Sequence, residues 1–383
     1  MRKVAIIGVG QTPVGEHWDA SIRMIAADAV HATLEDAGVK SVDALYVGNA
    51  YGASFSSQSQ LGALIADYAG LGGVETFTTE AGDASGGAAL RTGYLAVASG
   101  AVETALVLGV EKSTDTVSTA HVLARNVSLD ADYEAVQGAT LTALAALVMR
   151  RYMHEYGVEL SAFENFSINA HANGGKSANA MYRNQIKPGA FARAPMISDP
   201  VSLFDSAPDA DGAAAVILTT VERAADLVPH PVEIVASAAA SDTLAIAERA
   251  DLLDLRAVRT SIYKALQQAG LAQRDIDLFE LHDAFTILST LTLEAGGFAE
   301  RGQGWKLAKD GQISLTGTLP LCTFGGLKSR GNPVGATGIY QAVEAALQLR
   351  GAAGANQVAD ARVAMIQSVG GFGSTAITHI LSV

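Results

Sequence analysis

Two short stretches put a polar side chain where chemistry is easily built: "GDASGGAAL" around Asp83 and "GNPVGATGI" around Asn332. Each is a glycine-rich turn that runs into a helical pattern. The first turn of a helix has unpaired N–H groups and a partial positive charge. Two such ends facing one cleft would suit an oxyanion that develops during a reaction. Both residues also have ordinary readings. Aspartate is among the best N-caps, so Asp83 can simply cap its helix, and Asn332 can simply satisfy backbone groups.

A third candidate is electrostatic. Between Glu164 and Asp199 there is no acidic residue, while Lys176, Arg183, Lys187 and Arg193 all fall there. In a chain of formal net charge −13, this is either a phosphate-binding flap or a solvated basic surface. Cys322, the one cysteine, reads as a small buried hydrophobe rather than a nucleophile.

Strand-like and helical stretches alternate to position these residues. "KVAIIGV", "VDALYVGNA" and "TALVLGVEK" read as strands, with helices over "SIRMIAADAVHATLEDAG" and "SGGAALRTGYLAVASG" between them. That β-α-β-α-β order predicts a parallel sheet. The order returns later: strand "VEIVASAAA", helix "VRTSIYKALQQAG", strand "DIDLFELHDAF", the Asn332 turn with its helix, and the closing strand "ARVAMIQSVGG". "LEDAGVKSVDALYV" matches "LQQAGLAQRDIDLFEL", and the two glycine turns match each other. The chain is therefore an internal duplication, with halves at 1–225 and 226–383 and a long excursion at about 113–200 in the first.

Composition narrows the function. The negative charge argues against nucleic acid or an anionic membrane as the main partner. A single cysteine forbids an intramolecular disulfide, and the eight scattered histidines lack metal-ligand spacing. No apolar run approaches the roughly 18 residues of a membrane span. A cytoplasmic protein without metal is expected. "GVGQTPVG" lacks the third glycine of a dinucleotide fingerprint, and Pro13 stands where a helix should open.

The ordered motifs "EAGDASGGAAL", "ALVLGVEK", "RRYMHEYG", "DSAPDADGAAAVIL", "ELHDAFT", "GGLKSRGNPVGATG" and "SVGGFGS" resemble the thiolase family, specifically its sterol-carrier-protein-type and archaeal acetyl-CoA acetyltransferase branch. The resemblance covers essentially the whole chain. It implies an α/β thiolase fold, five-layered α-β-α-β-α, made from two duplicated halves. It also implies a CoA-binding excursion, to which Lys176, Arg183 and Lys187 would belong, and a homodimer or homotetramer. No tightly bound cofactor is implied, and coenzyme A enters as part of an acyl-CoA substrate.

The same resemblance sets Asp83 where the family carries its nucleophilic cysteine, and Asn332 where it carries a histidine. The position of a second cysteine reads Ala284 or falls in "SVGGFG". His282 and the glycines Gly370, Gly371 and Gly373 remain. A carboxylate is a poor acyl carrier, because it would have to form a mixed anhydride. What the resemblance leaves is carbon–carbon chemistry without acyl transfer: retro-aldol cleavage of a β-hydroxyacyl-CoA. His282 and Asn332 would hold the thioester oxygen, the glycines would supply N–H groups, and Asp83 or Tyr340 would handle the proton. Some thiolase-like aldolases that lack the cysteine work with an OB-fold, zinc-ribbon partner. The alternatives are a catalytically silent acyl-CoA-binding or scaffold subunit, and ordinary acyltransferase activity through another nucleophile.

Overall fold

The computed structural model describes residues 1–116, 118–187 and 189–383. Its strands are β1 (Val4–Gln11), β2 (Ala44–Gly48), β3 (Glu75–Thr79), β4 (Thr104–Glu111), β5 (Met196–Ser198), β6 (Val201–Ser202), β7 (Gly212–Thr220), β8 (Val232–Ser241), β9 (Leu278–Glu280), β10 (Val363–Gly370) and β11 (Thr375–Ser382). Nine of them run in the order β3-β2-β4-β7-β1-β8-β11-β10-β9, and β5 and β6 form a separate hairpin.

The internal duplication is visible in this order. Read outward from the middle, β1-β7-β4-β2 on one side repeats as β8-β11-β10-β9 on the other. A short contact, Ala5 with Glu233 and Ile6 with Val232, joins the two sets. The extra edge strand β3 has a remnant in the second set, where Leu321 bridges Phe279 in parallel.

The sheet is mixed rather than parallel. β2 is parallel to β3 and β4, and β9 to β10. However, β7 lies antiparallel between β1 and β4, and β11 antiparallel between β8 and β10. The β-α-β-α-β reading missed this because β7 and β11 follow the repeated unit and fold back into it.

Strands of this sheet are apolar on both faces because both faces are covered. In β1, Val4 and Ile6 point into a central core, while Ala5 and Ile7 point into an outer one. The central core holds the helices Ser85–Ser99 and Thr337–Leu349 between the two strand sets. Ile22–Ala37 and Leu61–Tyr68 cover the first set outside, and Arg256–Ala269 and Thr286–Ala295 cover the second. These are the five layers α-β-α-β-α. The glycines of "GVG" serve this packing and no nucleotide: a Cβ on Gly8 would lie 2.6 Å from the Ala37 Cβ of the first outer helix.

The two central helices meet at their starts. A Cβ on Gly86 would lie 2.8 Å from the Gly335 carbonyl oxygen and 3.0 Å from the Gly338 nitrogen. Only glycine allows backbone to approach backbone this closely. The contact sets the Asp83 and Asn332 turns side by side.

The excursion packs across the halves. Its helix Leu141–Tyr156 starts at Thr140, whose side chain accepts from the Ala143 N–H at 3.1 Å. Leu141, Leu144, Val148, Met149 and Tyr152 fall on one helical face. They join the outer core of the second half with Ile287, Leu288 and Leu291. Among the described residues no helix is long and apolar enough to cross a membrane.

Candidate active site

A cavity of about 340 Å³ lies where the two central helices begin, and its lining includes Asp83, His121, Arg125, Asp209, His282, Asn332 and Gly371. These residues come from both halves and from the excursion helix Ser118–Arg125.

Asp83 is buried but does not cap its helix. The N-cap position is Ala84, and no side chain caps there. The Asp83 carboxylate turns instead to Tyr51 and Arg125. The Tyr51 hydroxyl donates to Oδ1 at 3.0 Å, and Arg125 donates to Oδ1 at 3.3 Å and to Oδ2 at 3.2 Å. The same guanidinium lies 5.1 Å over the Tyr51 ring. Burial and the Asp83 charge push the Tyr51 phenol far up, so it stays protonated. Both oxygens of Asp83 are therefore occupied.

Asn332 and His282 differ. Asn332 accepts the Val334 N–H and the Thr337 hydroxyl on its Oδ1, each at 3.1 Å. This orients the amide and leaves its NH₂ with no protein acceptor among the described residues. His282 is wholly buried. Its Nδ1 is shut in without a partner, which leaves Nε2 toward the cavity. Burial lowers its pKa, outweighing the charges of Asp83 and Asp283, so the ring is neutral at pH 7. A neutral imidazole N–H and an amide NH₂ are suitable donors to an oxyanion.

Glu111, at the end of β4, braces both loops. Its carboxylate accepts from Asn49 Nδ2 (3.0 Å) and from the backbone N–H of Ala50 (2.9 Å), Tyr51 (3.3 Å) and Gly335 (3.2 Å). One side chain thus holds the segment that carries Tyr51 and the turn that carries Asn332.

Several expected residues lie elsewhere. Tyr340 is not in the cavity: its hydroxyl donates to the Thr12 carbonyl at 2.9 Å, and its ring packs in the central core under Arg330. Of the three C-terminal glycines, only Gly371 lines the cavity. Gly370 abuts the Ala81 carbonyl, and Gly373 packs on Leu255. Cys322 sits outside the cavity with its thiol 3.6 Å from the Leu281 carbonyl, and burial pushes that thiol well up. It is no substitute nucleophile.

A second chamber of about 680 Å³ adjoins the cavity, sharing Ile197, Ser206 and Ala207 with it. His171, Lys187, Arg193 and Lys328 line it, and among the described residues no carboxylate does. Lys176 and Arg183 are exposed and outside this lining. Lys328 was not singled out in the sequence. It is buried with its ammonium on the Asp205 carbonyl, and burial lowers its pKa.

Tyr51, His121, Arg125 and Asp209 were also missed. His121 and Arg125 stand four apart in "STAHVLAR", and Asp209 lies within "DSAPDADG". Those were the available signals, and Tyr51 had none.

Residues 4–194 match the model of the thiolase N-terminal domain, and residues 238–383 that of a thiolase C-terminal domain-like family. The chain is 42% identical, over the full length of both proteins, to the acetyl-CoA acetyltransferase of Methanothermobacter thermautotrophicus. The chain belongs to the thiolase family. Another thiolase relative is the acetyl-CoA acetyltransferase of Methanocaldococcus jannaschii, 36% identical over 100% of this chain and 99% of that one. Among solved structures, the aldolase Ltp2-ChsH2(DUF35) superposes with a TM-score of 0.87 at 25% identity, covering 99% of this chain and 97% of the other.

Proposed function

We propose that this thiolase-family chain binds a β-hydroxyacyl-CoA and cleaves it by a retro-aldol reaction, without a covalent acyl-enzyme. The observation that carries this reading is the contrast within one cavity. His282 and Asn332 offer groups with no protein partner among the described residues, while Asp83, which the family resemblance sets at the position of the thiolase cysteine, is paired to Arg125 and Tyr51. In this reading the thioester oxygen sits between the His282 Nε2–H and the Asn332 amide. The C–C bond breaks, and its electron pair moves into a thioester enolate whose charge those donors stabilise. Such donors are worth about 10²–10³ in rate each. The basic chamber takes the CoA moiety, with Lys187 and Arg193 toward its phosphates.

The aldolase neighbour, whose name includes a DUF35 component, supports the reading and suggests an OB-fold, zinc-ribbon partner. The free edge of β3, on which Phe77 is exposed, supports pairing with a second copy, because an unpaired strand edge invites another strand. The test is incubation of the protein with a panel of β-hydroxyacyl-CoAs, with and without such a partner. Release of a shorter CoA ester and an aldehyde or ketone is expected. Tight binding with no release across the panel would instead make the chain a silent acyl-CoA-binding subunit.

Acyl transfer is a second reading, favoured by the names of the two archaeal relatives. It requires an acyl-enzyme, so an acetyl mass shift after exposure to acetyl-CoA would replace the first reading with this one.

A further inference from the structure

The cavity holds two carboxylates in different states. Both oxygens of Asp83 are taken by hydrogen bonds. Asp209 is bound on one side only. Its Oδ2 lies 2.7 Å from His121 Nε2, while among the described residues Oδ1 has no hydrogen bond and its nearest cation is Arg125 at 3.8 Å. The Asp209 side chain keeps 27% of its surface accessible, against 5% for Asp83. The free oxygen of Asp209 is therefore a carboxylate acceptor left open to a ligand in this cavity.

His121 fixes that arrangement. Its Nδ1 faces the Thr116 carbonyl at 3.1 Å, and its Nε2 faces Asp209. A carbonyl and an ionised carboxylate both accept, so this arrangement favours a proton on each ring nitrogen, the imidazolium form. The bond to Asp209 raises its pKa. Burial pushes Asp209 up, but Arg125 and His121 outweigh it and hold the carboxyl below its usual range. The groups that face His121 are Asp209, the Thr116 carbonyl, Arg125 and the Phe55 ring, whose centroid is 5.0 Å away.

We propose that Asp209 is a catalytic residue that accepts the β-hydroxyl proton of the substrate through Oδ1, and that His121 positions it. This rests on the retro-aldol reading and names the base which that reading leaves open. The hydroxyl proton passes to Asp209 as the hydroxyl oxygen becomes the product carbonyl. The C–C bond breaks, and its electron pair goes to the enolate held by His282 and Asn332. The enolate carbon then takes up a proton, which balances the one left on Asp209. The products are an aldehyde or ketone and the shortened acyl-CoA. No oxidant, reductant or further reactant enters.

The test separates this proposal from the reading it rests on. Affinities for 3-hydroxybutyryl-CoA and butyryl-CoA are measured by calorimetry in the cold, before turnover is appreciable. A hydrogen bond to a carboxylate makes the wild type prefer the hydroxylated ester by roughly tenfold. Asp209→Ala is expected to abolish the preference, read as the ratio of the two affinities. If that variant fails to fold, the isosteric Asp209→Asn is used, with the preference expected to fall. A wild type without the preference, or a folded variant that keeps it, overturns the proposal. Where the wild type cleaves a hydroxyacyl-CoA, Asp209→Asn is expected to lower kcat by roughly 10²-fold or more with little change in KM. Wild-type cleavage by that variant overturns the assignment of Asp209 but leaves the retro-aldol reading standing. A hydroxyl preference without any cleavage defeats the reaction but not the recognition. His121→Asn is expected to shift the pH profile of the hydroxyl preference and lower its amplitude, and an unmoved profile removes His121 from the proposal.

Discussion

At the residue scale, environment separates side chains that look equivalent in the sequence. Asp83 and Asp209 are both carboxylates in one cavity, but Tyr51 and Arg125 saturate the first and His121 half-saturates the second. The turn "GDASGG" made a helix cap a natural expectation for Asp83. Arg125, from the excursion, offered a stronger, charge-assisted partner. Cys322 illustrates the same point. Burial holds its thiol in the protonated, unreactive form. Iodoacetamide is therefore expected to leave the native protein unlabelled at neutral pH and to modify it fully on unfolding, read by intact mass. Rapid native labelling would contradict the buried placement. Cys322→Ser is expected to leave acyl-CoA turnover within about twofold, since the thiol lies outside the cavity; its cost is roughly 1–2 kcal/mol of stability for a hydroxyl in an apolar site.

At the element scale, the two central helix starts must stay in contact for the cavity to exist. Gly86→Ala adds a methyl against the Gly335 carbonyl. It is expected to cost about 3 kcal/mol in denaturant unfolding and to weaken acyl-CoA binding, although Gly86 is not in the cavity lining. Glu111 makes the same point through polarity. Burial pushes its carboxyl up to about 7, yet four donors are aimed at its two oxygens. Glu111→Gln would turn an NH₂ against an N–H. A loss of roughly 2 kcal/mol is expected, with lower acyl-CoA affinity as both loops loosen. On β11, His379 is buried with Nε2 donating to the Gly87 carbonyl at 3.1 Å, and burial lowers its pKa to about 4. The unfolded chain then binds the proton that the folded chain refuses. Stability is accordingly full above the unfolded value of about 6.5 and falls as pH drops toward 4, by roughly 3 kcal/mol from this residue. His379→Asn, which keeps an N–H for Gly87, is expected to flatten that acid limb in urea titrations.

At the scale of the whole molecule, charge is segregated. A chain of formal net charge −13 encloses a chamber lined by Lys187, Arg193, His171 and Lys328, with no carboxylate among the described residues of its lining. Lys187→Glu and Arg193→Glu are expected to weaken CoA binding by about tenfold or more each and to flatten its salt dependence. Lys176→Glu, on the exposed surface outside the lining, should do less. Calorimetry at low and high salt distinguishes the two chamber variants from the surface one, and equal effects at all three positions would favour a diffuse surface field over a built chamber.

The sequence by itself determined the duplication, the glycine turns at Asp83 and Asn332 that lead into helices and, through the resemblance its motifs carry, the layers and the family. Those features rest on local periodicity, on glycines and on motifs contiguous along the chain. It also singled out His282, which lines the cavity, because a strand-end motif carries its position with it. Only the tertiary structure decided that β7 and β11 run antiparallel inside the sheet, since strand order is set by which buried faces meet. It also turned Tyr340 into the core and brought Tyr51, His121, Arg125 and Asp209 together. Asp83 lies 42 residues from Arg125 in the chain, and His121 lies 88 from Asp209. No local pattern couples residues so far apart. Which carboxylate oxygens stay free is a property of the neighbours that folding supplies.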